Sequence, residues 1–192
     1  MRINKGDSGM KKFGVKSIVA TAIGAALFFV LGRFVAIPSG IPDTNISVQY
    51  GVLGFIAASF GPIVGLLAGL IGHFFIDFSF GWGVWWSWVI ASAVCGLIMG
   101  ICMGKNKIDE GEFGKKDIIR FNISQVIAHV AAWVVVAPIL DILMYQEPAN
   151  KVFVQGLVSA GVNIITTGVV GTLLCIAYVS AIPKKGSLKE EE

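Results

Sequence analysis

Gly69–Trp88 reads GLIGHFFIDFSFGWGVWWSW, and this stretch decides how the rest of the chain is laid out. It begins as an apolar helix that carries His73 and Asp77 one turn apart. It breaks at Gly81 and Gly83, then presents Trp82, Trp85, Trp86 and Trp88, four of the five tryptophans in the sequence. Amphipathic indoles gather where a membrane helix meets the headgroups. The stretch therefore reads as a helix that reaches the water interface, turns and re-enters the bilayer.

The bulk composition agrees. Of the 192 residues, 55% are hydrophobic and 14% charged, and mean hydropathy is +0.79. Soluble domains carry roughly a quarter charged residues, so the bilayer is the expected solvent. Cys95, Cys102 and Cys175 lie in apolar runs without CxxC spacing and read as small buried hydrophobes. The run after Lys16 is too long for a signal-peptide core and has no small-residue cleavage motif, so it is expected to stay as a first membrane helix.

Outward from the tryptophan turn, the pattern predicts an all-α bundle of six transmembrane helices. A basic arm (1–16) precedes a membrane domain (17–182), and a polar tail (183–192) follows. The first helix spans Ser17–Ile37 and ends at Pro38. The apolar run Ile46–Phe78 is too long for one span at about 1.5 Å per residue and is divided at Gly61-Pro62. The remaining helices are Val84–Met103, Ile118–Met144 with a kink expected at Pro138, and Val152–Ile182. With a cytoplasmic N-terminus, the inside segments hold 13 of the 15 Lys and Arg residues, Arg33 and Lys151 being the exceptions. That asymmetry places both termini in the cytoplasm and accounts for the basic clusters by topology, without nucleic acid.

Most of the unusual polar residues then fall near the outer face, which predicts a polar, aromatic cavity open to the outside. His73 and Asp77 share a helix face and can hydrogen-bond. An ionisable residue in a span is a functional-site hypothesis; an internal polar clasp is the alternative. Arg33 reads equally as a clamp for a ligand or as a fold-stabilising ion pair with Asp43, Asp77 or Asp141. Asn122, Gln125, His129 and Trp133 form one stripe that must face protein, and Trp133 could floor the cavity. The expected ligand contacts are Arg33, Asn45, Gln49, His73, Asp77, Trp82, Trp85, Trp86 and Trp133, with the indoles stacking on a flat heterocycle. Small residues at four-residue spacing on the third and fourth helices let backbones approach closely. Ala22 and Ala26 on the first helix form a further stripe where a partner subunit could dock. No GxxxxGK[ST] loop, HExxH or activated nucleophile is present, and neither a metal nor a cofactor is expected.

Several segments together resemble a known family. They are Leu31–Asn45 (LGRFVAIPSGIPDTN), the run from Gly65 through His73 and Asp77 to Val89, Phe121–Gln125, Ala137–Gly156 and the tail KKGSLK. They resemble the substrate-binding S components of energy-coupling factor (ECF) transporters, in a branch labelled riboflavin-type. The resemblance implies a bacterial multi-pass membrane protein, not an enzyme. It would capture a vitamin or related micronutrient (riboflavin, with cobalamin or a methionine-related compound as other candidates). A transmembrane T component and two ATPases would power uptake, with docking through the Ala22/Ala26 pattern. The outer cavity would be covered by the loop Pro38–Ile46. A structural membrane subunit without a small ligand, or an intramembrane enzyme using His73, Asp77 and His129, are the alternatives.

Overall fold

The computed structural model describes residues 13–40, 45–81 and 83–182. Most of the basic arm, the polar tail and Trp82 therefore lie outside the described residues. Helix α1 (Val15–Phe34) leads into a two-stranded antiparallel hairpin, β1 (Ile37–Pro38) with β2 (Asn45–Ile46). Then come α2 (Gln49–Phe60), α3 (Pro62–Phe80) and α4 (Trp86–Met103), followed by a single 3-10 turn at Ile108–Glu110. Two long composite rods complete the bundle. The first is α5 (Lys115–His129), a π-helical stretch Val130–Val136 and α6 (Ala137–Tyr145); the second is α7 (Ala149–Thr166), a π-helical stretch Thr167–Gly171 and α8 (Thr172–Ala181).

Counting each rod once gives six helices among the described residues. Among the described residues, five helices are long and apolar enough to cross a bilayer: α1, α3, α4 and the two rods. Helix α2 has 12 residues, about 18 Å at 1.5 Å per residue, short of a roughly 30 Å hydrocarbon core. The sequence expectation overran here. Ile46 belongs to the hairpin, and the chain turns helical only at Gln49. The first helix is likewise shorter than expected, ending at Phe34 because the chain passes into β1 ahead of Pro38.

The division at Gly61-Pro62 holds. Gly61 takes φ 103°, a conformation that favours glycine, and Pro62 opens α3 where its missing N–H is no loss. Pro138 acts differently from a simple kink. The helix ahead of it widens, and Ala137 N–H donates to Ala132 O five residues back. The rod continues through the proline with its carbonyl ladder rerouted.

Close backbone approach holds α3 against α4. A Cβ on Gly65 would lie 2.6 Å from both Ala57 Cβ and Gly96 O, and one on Gly69 would lie 2.6 Å from Ser92 O. On α1, Ser17, Ala20, Thr21, Gly24, Ala25, Phe28 and Gly32 are buried. The opposite face exposes Ile18, Val19, Ile23, Leu27 and Val30, with Ala22 and Ala26 among them. Ile108 of the 3-10 turn is fully buried, so the loop after α4 is docked on the bundle. Asn106 fixes it there by donating a side-chain N–H hydrogen bond of 2.9 Å to Ala58 O.

Candidate functional site

The end of the bundle that carries the tryptophan turn holds a cavity of about 450 Å³, within the size range of small-molecule sites. Its wall is built from α1 (Gly32), β2 (Asn45), Ser47, α2 (Gln49, Tyr50), α3 (His73, Ile76, Asp77, Phe80), Trp85 and Trp88, Trp133, Asp141, Glu147, and α7 (Lys151, Gln155, Ser159, Asn163).

The turn between α3 and α4 is fixed by Asp77. Gly81 (φ 81°) and Gly83 (φ 94°) reverse the chain, and the Trp85 backbone N–H donates to Asp77 Oδ2 at 2.9 Å. A carboxylate at the start of α4 also suits the helix dipole. Asp77 Oδ1 lies 3.5 Å from His73 Nε2, the i,i+4 pair that the sequence implied. His73 Nδ1 is 2.5 Å from Ser92 Oγ, and Ser92 is 2.8 Å from the Tyr50 hydroxyl. Turn, helix α3 and helix α2 are thereby joined by one polar chain.

Asp141, 1% exposed, holds the aromatic wall. Its Oδ1 accepts the indole N–H of Trp85 at 2.7 Å and the Ser87 hydroxyl. Its Oδ2 accepts the indole N–H of Trp88 at 2.7 Å. Trp88 stacks on Trp133 with centroids 5.3 Å apart, and Trp85 lies against Tyr145 at 4.4 Å. The indoles are thus oriented before any ligand arrives.

Beneath the floor, Trp133 donates its indole N–H to His129 Nδ1 at 3.0 Å. An indole nitrogen can only donate, so Nδ1 is the acceptor and the imidazole proton sits on Nε2. That nitrogen donates to Thr167 Oγ1 at 2.9 Å. His129 is fully buried and lies edge-on to the Tyr50 ring, with centroids 5.6 Å apart. Among the described residues, no three His, Cys, Asp or Glu side chains come together as a metal-ligand set.

Of the nine residues expected to contact ligand, six line the cavity: Asn45, Gln49, His73, Asp77, Trp85 and Trp133. Trp82 lies outside the described residues. Arg33 does not line the cavity. Its guanidinium sits 4.2 Å over the ring of Phe80, a cation–π contact; among the described residues it forms no ion pair with Asp77 or Asp141, and Asp43 lies outside the described residues. Trp86 also lies off the wall; it is exposed and tilted against Phe74 at 5.9 Å. Tyr50, Trp88 and Asp141 line the cavity beyond the expected contacts, along with the α7 residues. The α7 set carried a signal: Gln155, Ser159 and Asn163 recur every four residues on one face.

The model of the "ECF-type riboflavin transporter, S component" family matches residues 12–180. The chain belongs to that family. It is a substrate-binding membrane component of a transporter, not an enzyme. The UPF0397 protein of Staphylococcus aureus strain MSSA476 is 50% identical over 184 residues, covering 95% of this chain and 100% of the relative. The UPF0397 protein of S. aureus strain Newman matches with the same identity and coverage. Among solved structures, FolT bound with folic acid superposes with a TM-score of 0.60 at 19% identity, covering 84% of this S component and 98% of FolT. That likeness shows a shared helical fold.

Proposed function

We propose that this S component captures a small planar heterocyclic nutrient from the outside of a bacterial cell membrane. Riboflavin is the first candidate. In this reading the bundle spans the membrane six times, with α2 completing its span through the hairpin and both termini in the cytoplasm. The observation that carries it is the cavity at the tryptophan end, where Asp141 holds two indoles in place beside the His73–Asp77 pair. Pre-oriented aromatic walls with a few directional polar groups suit a flat heterocycle, because less freedom is lost on binding.

Asn45, Gln49, His73, Asp77, Trp85 and Trp133 are the proposed contacts from the original set, joined by Tyr50 and Trp88. The hairpin between α1 and α2 covers the cavity mouth. A T component docks on the exposed face of α1 across Ala22 and Ala26, and two ATPase subunits drive release to the cytoplasm.

The test is purification in detergent, followed by an absorption spectrum and a melting curve with each member of a vitamin panel. A flavin spectrum, or a large upward melting shift with riboflavin, supports the full reading. A colourless protein stabilised by another vitamin keeps the capture role and removes riboflavin. No bound compound and no shift with any member overturns it in favour of an accessory subunit without a ligand.

A further inference from the structure

The charge inside the cavity has a sign. Among the described lining residues, the acids are Asp77, Asp141 and Glu147, against one lysine, Lys151, and the imidazole of His73. Lys151 Nζ is engaged by Glu147 Oε2 at 2.9 Å. The remaining two acids face neutral or imidazole donors: indoles and a hydroxyl on Asp141, and Trp85 N–H with His73 on Asp77. The outer segments 41–44 and 82 read IPDT and Trp, so they add no basic residue by sequence. Arg33 stands 4.2 Å over the Phe80 ring and does not itself line the cavity.

Buried carboxylates without a cationic partner leave a negative potential in a low-dielectric space. The aromatic lining adds to it. Phe80, Trp85 and Trp88 border the same cavity, and ring faces attract cations. A carboxylate or phosphate entering here would be desolvated against two acids with no unengaged cation to receive it. Each carboxylate has about four lone-pair sites. Asp77 is met by two donors, so it retains capacity for an N–H of a ligand.

We infer that the cavity selects by charge: it takes an uncharged or cationic planar heterocycle carrying N–H donors and rejects the phosphorylated or carboxylated form of the same ring. Asp77 is the residue that receives the ligand's donor. This rests on the capture role proposed above and narrows its substrate class.

The experiment uses the full-length S component in detergent and charge-matched ligand pairs: riboflavin with flavin mononucleotide, and thiamine with thiamine monophosphate. Folate and biotin serve as carboxylated probes. Calorimetric titration and melting shift are read for each. The expected result is binding of at least one uncharged or cationic member, with its phosphorylated partner at least tenfold weaker. Asp77→Asn should reduce that ratio several-fold by removing the repelling charge while keeping an acceptor for Trp85 N–H. Equal or tighter binding of flavin mononucleotide, thiamine monophosphate, folate or biotin overturns the charge rule and leaves the capture role standing. If such binding disappears in Arg33→Gln, the guanidinium has swung in from Phe80, and the rule is overturned for that reason. Failure of every compound to bind counts against the capture role itself, and the charge rule falls with it.

Discussion

Trp88 and Asp141, 53 residues apart in sequence, meet through an indole N–H···Oδ2 bond of 2.7 Å. With the matching bond from Trp85, one buried carboxylate sets the angle of two cavity-lining rings. Hydrogen bonds to a charged group contribute about 1.5–3 kcal/mol each, and an orphaned buried donor costs about 1–3 kcal/mol. Asp141→Ala strands both indoles and the Ser87 hydroxyl. It should lower stability by about 3 kcal/mol or more, and it should weaken ligand at least tenfold by releasing the rings. Asp141→Asn keeps one acceptor oxygen and should fall between the two. Denaturation in detergent and tryptophan emission check this; an Ala variant with unchanged emission and stability would show that the rings are held by packing alone.

A second prediction concerns the floor. Thr167→Val keeps the side-chain shape but removes the acceptor of His129 Nε2–H. The donor is then buried without a partner, a loss of about 1–3 kcal/mol. Because His129 Nδ1 also orients Trp133, the variant should lose ligand affinity several-fold although Thr167 does not line the cavity. A melting curve paired with a binding titration separates the two effects. Unchanged affinity in a destabilised Thr167→Val protein would confine His129 to a structural role.

Much of this architecture is legible from sequence, and the boundary between what is and what is not has a physical origin. Hydropathy, the Gly61-Pro62 break and the small-residue spacings are local, and each marked its element. The His73–Asp77 pair was also readable because i,i+4 neighbours on a helix meet whatever the rest of the chain does. Asp141 was not readable as the anchor of Trp85 and Trp88, since nothing near it in sequence says which distant donors it will receive. Arg33 shows the same limit from the other side. A guanidinium near a helix end suits an acid or a ring equally, and the choice of Phe80 depends on how α1 and α3 pack. The π-helical stretches had one local sign, Pro138, and Val130–Val136 lies just ahead of it. The second, Thr167–Gly171, has no proline at all.

The contact between α3 and α4 makes a third prediction. A Cβ on Gly65 would press on the Gly96 carbonyl and on Ala57, and backbone has little room to yield. Overpacking costs about 1–3 kcal/mol and can exceed that, so Gly65→Ala should destabilise by at least 2 kcal/mol or prevent recovery of folded protein. Gly161, on an exposed part of α7, has nothing within 4 Å of its added Cβ. Gly161→Ala should be neutral or stabilising by up to about 1 kcal/mol through helix propensity. Melting midpoints of the two variants, measured side by side, decide it; equal midpoints would mean that the helices can separate at no expense.

The last prediction addresses coupling to a motor. Ala22 and Ala26 lie on the exposed face of α1, one turn apart, and neither lines the cavity. Small side chains there permit close approach of another helix, as small-xxx-small interfaces do in lipid. Leucine at both positions would hold an incoming helix away while still suiting a lipid-facing surface. The double variant Ala22→Leu/Ala26→Leu should fold with a normal melting midpoint and bind ligand with wild-type affinity. In cells supplied with the rest of the transporter it should lose at least nine-tenths of uptake. Uptake that persists in the double variant, at normal protein level, would place the docking surface elsewhere on the bundle. Loss of binding together with uptake would mean that the α1 face shapes the cavity, against the separation between the two sites.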